Sequence, residues 1–132
     1  HIAAIGSSVL ISIPIYWATL CLLIHHPPLP GMTGWRKGLV DAVALQTVLE
    51  SYPPLLIFHG HLHHNREQLW GDSHIFCTAA ASSAGDASYR VIDIEDKGDY
   101  VGFRMYLKSV VMEDTGGLGF ATVDEQSWQV NK

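Results

Sequence analysis

Four imidazoles stand within six residues, at His59, His61, His63 and His64, in the stretch Phe58-His59-Gly60-His61-Leu62-His63-His64-Asn65. A second pair, His25-His26, precedes Pro27-Pro28. Neutral imidazole is the commonest side-chain metal ligand. Each group directly follows a short apolar run, Cys21-Leu22-Leu23-Ile24 upstream and Leu55-Leu56-Ile57-Phe58 downstream. Such runs read as buried strands, so the histidines fall where two strands stop. Ligands of α/β proteins gather at the carboxyl edge of the sheet. The expectation is a shared metal site there, with His25, His61 and His63 as ligands. In Gly60-His61-Leu62-His63 the two histidines lie two apart, and extended backbone points such residues to one side. Gly60 gives the chain freedom to turn just before them.

The elements that must position these residues are legible in outline. Pro27-Pro28-Leu29-Pro30-Gly31 excludes helix and predicts a rigid loop. Leu45, Val48, Leu49 and Tyr52 follow the i, i+3, i+4, i+7 spacing of one apolar helix face, predicting a helix over residues 39–52 that Pro53-Pro54 stops. Strand, loop, helix, strand and histidine loop then make a βαβ unit. Further on, residues 73–80 read as a strand and residues 81–86 as a flexible loop of small side chains. Residues 89–94 and 100–107 read as two strands around the turn Lys97-Gly98-Asp99, a hairpin. From Glu113 the chain is Gly-rich and then polar, so residues 113–132 are expected to form a weakly ordered tail behind one domain portion, residues 1–112.

Residues 2–24 carry no charge, and that length would suit a membrane helix. Pro14, Ser7, Ser8, Ser12 and the β-branched Ile13, Ile15 and Ile24 oppose that reading, and the run ends in histidine and proline where a Lys or Arg anchor would stand. Two buried strands, residues 2–5 and 21–24, joined by a loop explain it instead. The 132 residues suffice for one modest domain, and 48% apolar with 16% charged residues argues for a folded chain. A net charge of -5 speaks against a nucleic-acid surface, although Arg36-Lys37 is a local basic spot. Trp35, Arg36 and Lys37 read as a solvated loop, with a stacking face and phosphate charge as the alternative. Two cysteines, Cys21 and Cys77, are too few for a disulfide scaffold. They read as free, buried thiols in a reducing compartment, hence a cytoplasmic location.

Ile24-His25-His26-Pro27-Pro28 and Gly60-His61-Leu62-His63 together resemble the last two sequence blocks of the calcineurin-like metallophosphoesterases, most of all the small bacterial phosphodiesterase-like members. The resemblance covers about residues 2–94. It implies an α/β fold, part of a four-layer α/β/β/α sandwich, and a centre of two divalent ions (Mn, Fe or Zn) bridged by hydroxide. By position His25 and His61 would serve one ion and His63 the other. His26 and His64 would take catalytic places, His26 beside the ligands or facing a small phosphoester substrate. His59 and Asn65 would flank the site. The implied reaction is in-line attack of the bridging hydroxide on phosphorus.

The earlier blocks of that family, an Asp-x-His, a Gly-Asp-x-x-Asp and a Gly-Asn-His, are absent from this sequence. Asp72 and Asp86 follow the histidine blocks and cannot replace them. The expectation is therefore a chain lacking the N-terminal half of the domain, inactive alone, with the remaining ligands on that other segment. A further gap is expected near Leu20-Cys21, because parallel neighbours need a crossover of a dozen residues or more. The principal reading is a metal-dependent phosphoesterase of phosphodiesters or phosphomonoesters, with homo-oligomers possible. The alternatives are a non-catalytic module with a structural Zn on His25, His61 and His63, and a membrane-anchored interaction protein built on residues 2–24.

Overall fold

The computed structural model describes residues 21–34, 36–82 and 86–132, together with the backbone of residues 2 and 3. Trp35, the run from residue 7 to residue 20, the Leu20-Cys21 junction and part of the small-residue loop lie outside the described residues. The chain divides into two compact units, Gly6–Thr78 and His1–Ile5 with Ala79–Lys132. The division falls after Thr78, whereas the sequence reading sets its boundary at residue 112. No helix among the described residues is long and apolar enough to cross a membrane.

The first unit contains β2 (Cys21–Ile24), α1 (Ala42–Ser51), β3 (Leu56–His59), β4 (Arg66–Trp70) and β5 (Ser73–Cys77). The sheet order is β2-β3-β5-β4. Strands β2, β3 and β5 run parallel, and β4 closes one edge antiparallel to β5. The expected βαβ unit is therefore present as β2-α1-β3. Strand β4 has no counterpart in the sequence reading. It is joined to β5 by Gly71-Asp72, where Gly71 adopts φ 57 in a two-residue hairpin connection. The register puts Ile24, His59, Cys77 and Arg66 in one row across the sheet.

Helix α1 is shorter than its sequence pattern. Asp41 at its start makes no side-chain capping bond, and the chain before it is held in turns. Thr47 and Ser51 donate their hydroxyls back to the carbonyls four residues earlier. Of the four predicted face residues, Leu49 is buried and Leu45 packs beside it, while Val48 and Tyr52 are exposed. The core joins Leu22, Leu29, Leu49, Ile57 and Ile75, with Ile24, Met32, Leu45 and Trp70 packed against it. Each fully buried aliphatic side chain there contributes roughly 1.5–3 kcal/mol. The proline loop is part of this core, since Pro27, Pro28 and Leu29 are all buried. Its stiffness delivers Leu29 to the sheet at little entropic cost.

The second unit contains β1 (Ile2–Ala3), β6 (Ser88–Asp96), β7 (Tyr100–Met112) and β8 (Leu118–Asn131), in the order β1-β6-β7-β8. All pairings are antiparallel. Strand β1 pairs with β6 and belongs to a different sheet from β2. Residues 2–3 and 21–24 are thus not parallel neighbours, and the crossover argument made from the sequence does not apply to them. Two uncharged apolar runs carry no information about which partner each will choose.

The hairpin around Lys97-Gly98-Asp99 is present, with Gly98 at φ 88 and its N–H donating to Asp96 Oδ1 at 2.8 Å. A weakly ordered tail is expected from Glu113, but β8 stands there, paired with β7 along its length. The glycines make a turn: Glu113 N–H donates to Gly117 O and Gly116 N–H to Glu113 O, both at 2.9 Å, with Gly116 at φ 81. A glycine in left-handed backbone is what a three-residue hairpin loop requires. Ile92, Val101, Phe103 and Met105 are among the buried side chains of this unit, and Phe103 stacks on Trp128 with centroids 5.2 Å apart.

Candidate metal centre

His25 follows the last residue of β2, and His59 is the last residue of the neighbouring parallel strand β3. The ladder continues one step past the strands, where Gly60 N–H donates to His25 O at 3.2 Å. That bond fixes the start of the histidine loop against the end of β2. Leu62 N–H then donates to Gly60 O at 2.6 Å, and both His61 and His63 adopt positive φ, 61° and 56°. The extended backbone expected for Gly60-His61-Leu62-His63 is absent, because the chain kinks at both histidines. Left-handed backbone is unfavourable for residues with a Cβ.

The kinks sort the histidines. His25, His26 and His61 come together, each offering one nitrogen, with these atoms all within 4.8 Å of one another. It is the one such set of three among the described residues. Ring centroids lie 4.9 Å apart for His25 and His26, 5.0 Å for His25 and His61, and 4.5 Å for His26 and His61. His25 Nε2 and His61 Nδ1 share a hydrogen bond at 3.0 Å. The site is accessible: His25 is exposed, and His26 and His61 are half-buried. A four-coordinate ion bound at about 2.0–2.1 Å to nitrogen needs donors roughly 3.3 Å apart. The three imidazole nitrogens, all within 4.8 Å of one another, approach that spacing.

His63, expected as a ligand, is exposed and stands outside this set, while His26, expected in catalysis, belongs to it. The sequence signal for His26 was its adjacency to His25 at a strand end, where two consecutive rings can flank one edge. His64 is exposed and turned into its own loop, donating Nδ1–H to Leu62 O at 3.0 Å. His59 is buried, with Nδ1 3.3 Å from Gly60 O. Asn65 is exposed beside β4.

Electrostatics favour the neutral form of His61 and His59. Loss of water holds His61 below its ordinary value, and the positive neighbours His26, His25, Lys37 and His63 add to it. Burial pushes His59 down to about 4 against the opposing pull of the Gly60 carbonyl, with His64 and Arg66 adding to the depression. Neutral imidazole is the ligating form. Lys37, exposed, is thus within electrostatic reach of the cluster. No carboxylate joins the three histidines among the described residues.

No family model matches the sequence, and no curated protein matches it. Solved structures do. Vps29 of Chaetomium thermophilum is 10% identical, with a TM-score of 0.51, and the match covers 87% of this chain and 56% of that one. The same protein complexed with a RaPID-derived cyclic peptide is 11% identical, with a TM-score of 0.48 over 85% and 56% of the two chains. Vps29 of Entamoeba histolytica complexed with Zn is 14% identical, with a TM-score of 0.41 over 76% and 51%. The chain spans a little over half the length of these structures. The likeness of fold rests on the first of them. It is a likeness of fold to Vps29, and the chain is a mixed α/β protein.

Proposed function

We propose that this chain is a metal-binding module in which His25, His26 and His61 hold a single divalent transition ion. The convergence of the three imidazole nitrogens at the ends of β2 and β3 carries the reading. An all-nitrogen donor set suits Zn, Fe or Mn better than Ca. Three protein ligands leave a coordination position open, as at sites where an ion polarises a bound group. The absence of a carboxylate from the set favours one ion, without catalysis by this chain alone. Cys21 and Cys77 form no disulfide, in keeping with a reducing, cytoplasmic setting.

A second reading has its own support. His25-His26-Pro27-Pro28 and Gly60-His61-Leu62-His63 sit at the carboxyl ends of adjacent parallel strands, where the metallophosphoesterase resemblance needs them. In this reading the chain supplies the histidine side of a phosphoester-hydrolysing centre within a four-layer sandwich. Carboxylate ligands and the place for a second ion come from a further segment. A bound ion would supply Lewis acidity toward a phosphate oxygen. His63 and His64 then face a small phosphoester, close to the positive charge of Lys37.

Calorimetric titration with Zn or Mn tests the first reading. Binding of one ion per chain, lost in His61→Ala, is expected, and no binding by the wild-type chain would reject it. Hydrolysis of a phosphodiester in the presence of Mn once the further segment is supplied, lost in the same variant, would select the second reading over the first.

A further inference from the structure

The Gly60 carbonyl collects three donors. Leu62 N–H reaches it at 2.6 Å, His59 Nδ1 at 3.3 Å and Cys77 Sγ at 3.5 Å. A carbonyl only accepts, so His59 carries its ring proton on Nδ1 and Cys77 donates its thiol proton. His59 and Cys77 are register partners on β3 and β5, so their side chains leave the sheet on one face. Thr78 N–H donates to His59 O at 3.1 Å and carries the pairing one step past the strand. Both residues are buried, His59 at 6% and Cys77 at 1% exposure. Gly60 is also tied to β2, through its N–H and His25 O.

What the carbonyl closes is a three-residue turn. The bond from Leu62 N–H to Gly60 O has His61 at its middle, with φ 61. A γ-turn of positive φ is the rare and strained hand. Such a conformation persists only where the surrounding groups over-determine it. One hydrogen bond within the turn opposes the strain. The two side-chain donors add to it from outside, and both come from the sheet. The His61 ring stands where that turn puts it, with Nδ1 3.0 Å from His25 Nε2. The need of a buried imidazole for an acceptor explains His59 by itself. It does not explain why a thiol from the next strand converges on the same oxygen, since buried Cys packs as a small hydrophobe without a partner.

We infer that His59 and Cys77 are positioning residues of the metal centre: their grip on the Gly60 carbonyl holds the turn that keeps His61 beside His25. The inference rests on the metal-binding reading of His25, His26 and His61. Neither positioning residue is a ligand in it. With the grip lost, the turn relaxes toward ordinary backbone, and His61 must be brought back before it can ligate. The apparent affinity then falls with the fraction of chains that keep the turn.

Zn titration of the whole chain, with amide exchange at Leu62 in the metal-free chain, is the test. His59→Leu and Cys77→Val keep most of the side-chain bulk and remove the donor. Each is expected to weaken Zn binding about tenfold and to speed Leu62 exchange by a similar factor. His59→Asn is the conservative variant. Its amide N–H takes the place of Nδ1–H, and affinity within about threefold of wild type is expected. A role in packing alone would move the Tm of all three variants and leave affinity and exchange at wild-type values. Should His59→Leu fail to fold, Cys77→Val decides. Wild-type affinity and exchange in His59→Leu and Cys77→Val overturn the inference while the metal reading stands. So does a loss in His59→Asn as large as that in His59→Leu. A wild-type chain that binds no Zn overturns the metal reading and this inference with it, whatever the exchange rates show.

Discussion

His25 and His61 are 36 positions apart, yet His25 Nε2 and His61 Nδ1 share a hydrogen bond at 3.0 Å. Their backbones are tied as well, through Gly60 N–H and His25 O. The contact builds on strand register: Ile24 and His59 are partners, so His25 and Gly60 are neighbours and His61 follows at once. His25 and His61 are thus held close together at the end of the sheet.

Ligand substitutions should separate the three cluster histidines from the rest of the loop. His25→Ala, His26→Ala or His61→Ala is expected to weaken Zn binding by more than about a hundredfold, since even outer-shell losses reach 10–100-fold. His63→Ala should weaken it by less than about tenfold, because His63 stands outside the set. Isothermal titration of the four variants checks this. Equal losses at His61 and His63 would return His63 to the ligand set.

An ion bound only by the folded chain should stabilise it. At a free concentration one hundred times its dissociation constant the gain is about 2.7 kcal/mol, seen as a rise of several degrees in Tm and reversed by a chelator. Thermal melts with and without Zn read it directly. The His61→Ala variant should melt at one temperature in both conditions.

Cys21 gives a pH signature independent of the metal. Burial pushes its thiol from 9.0 up to about 11. Between those values the folded chain keeps a proton that the unfolded chain releases. The associated stability is therefore complete below pH 9 and is lost as pH rises through 11. At pH 8 the thiolate fraction is about a hundredfold below that of an ordinary cysteine, so alkylation at Cys21 should be slower by about that factor. Peptide mapping after timed iodoacetamide treatment measures it, and rapid labelling at pH 8 would contradict the burial.

The β7-β8 turn depends on one backbone conformation. Gly116 at φ 81 has open space around it, so Gly116→Ala meets no clash and tests the dihedral alone. A loss of about 1–2 kcal/mol is expected in urea unfolding. Gly34→Ala, at a glycine without positive φ and also in open space, serves as the control.

What the sequence made legible followed from local rules. Strands β2 and β3, the helix and its proline stop, and the histidines at strand ends all rest on patterns within a dozen residues. Strand β4 was hidden because Arg66-Glu67-Gln68-Leu69-Trp70 is polar; it lies at an edge, and Trp70 alone reaches the core. The pairing of β1 with β6 was hidden because apolar runs do not name their partners. The histidine cluster was legible in part. Adjacent histidines at a strand end were visible, but the left-handed kinks at His61 and His63 leave no mark in the pattern of residue types.

The row Ile24, His59, Cys77 and Arg66 has one more consequence. The histidine loop leaves the sheet at His59 and re-enters at Arg66, two strands over, so its feet stand roughly 10 Å apart on a common level. Any six-residue insert that spans those feet can be exchanged without disturbing the alignment of the strands below. Chemistry in this protein is therefore carried by a replaceable cartridge, while the floor it plugs into stays the same.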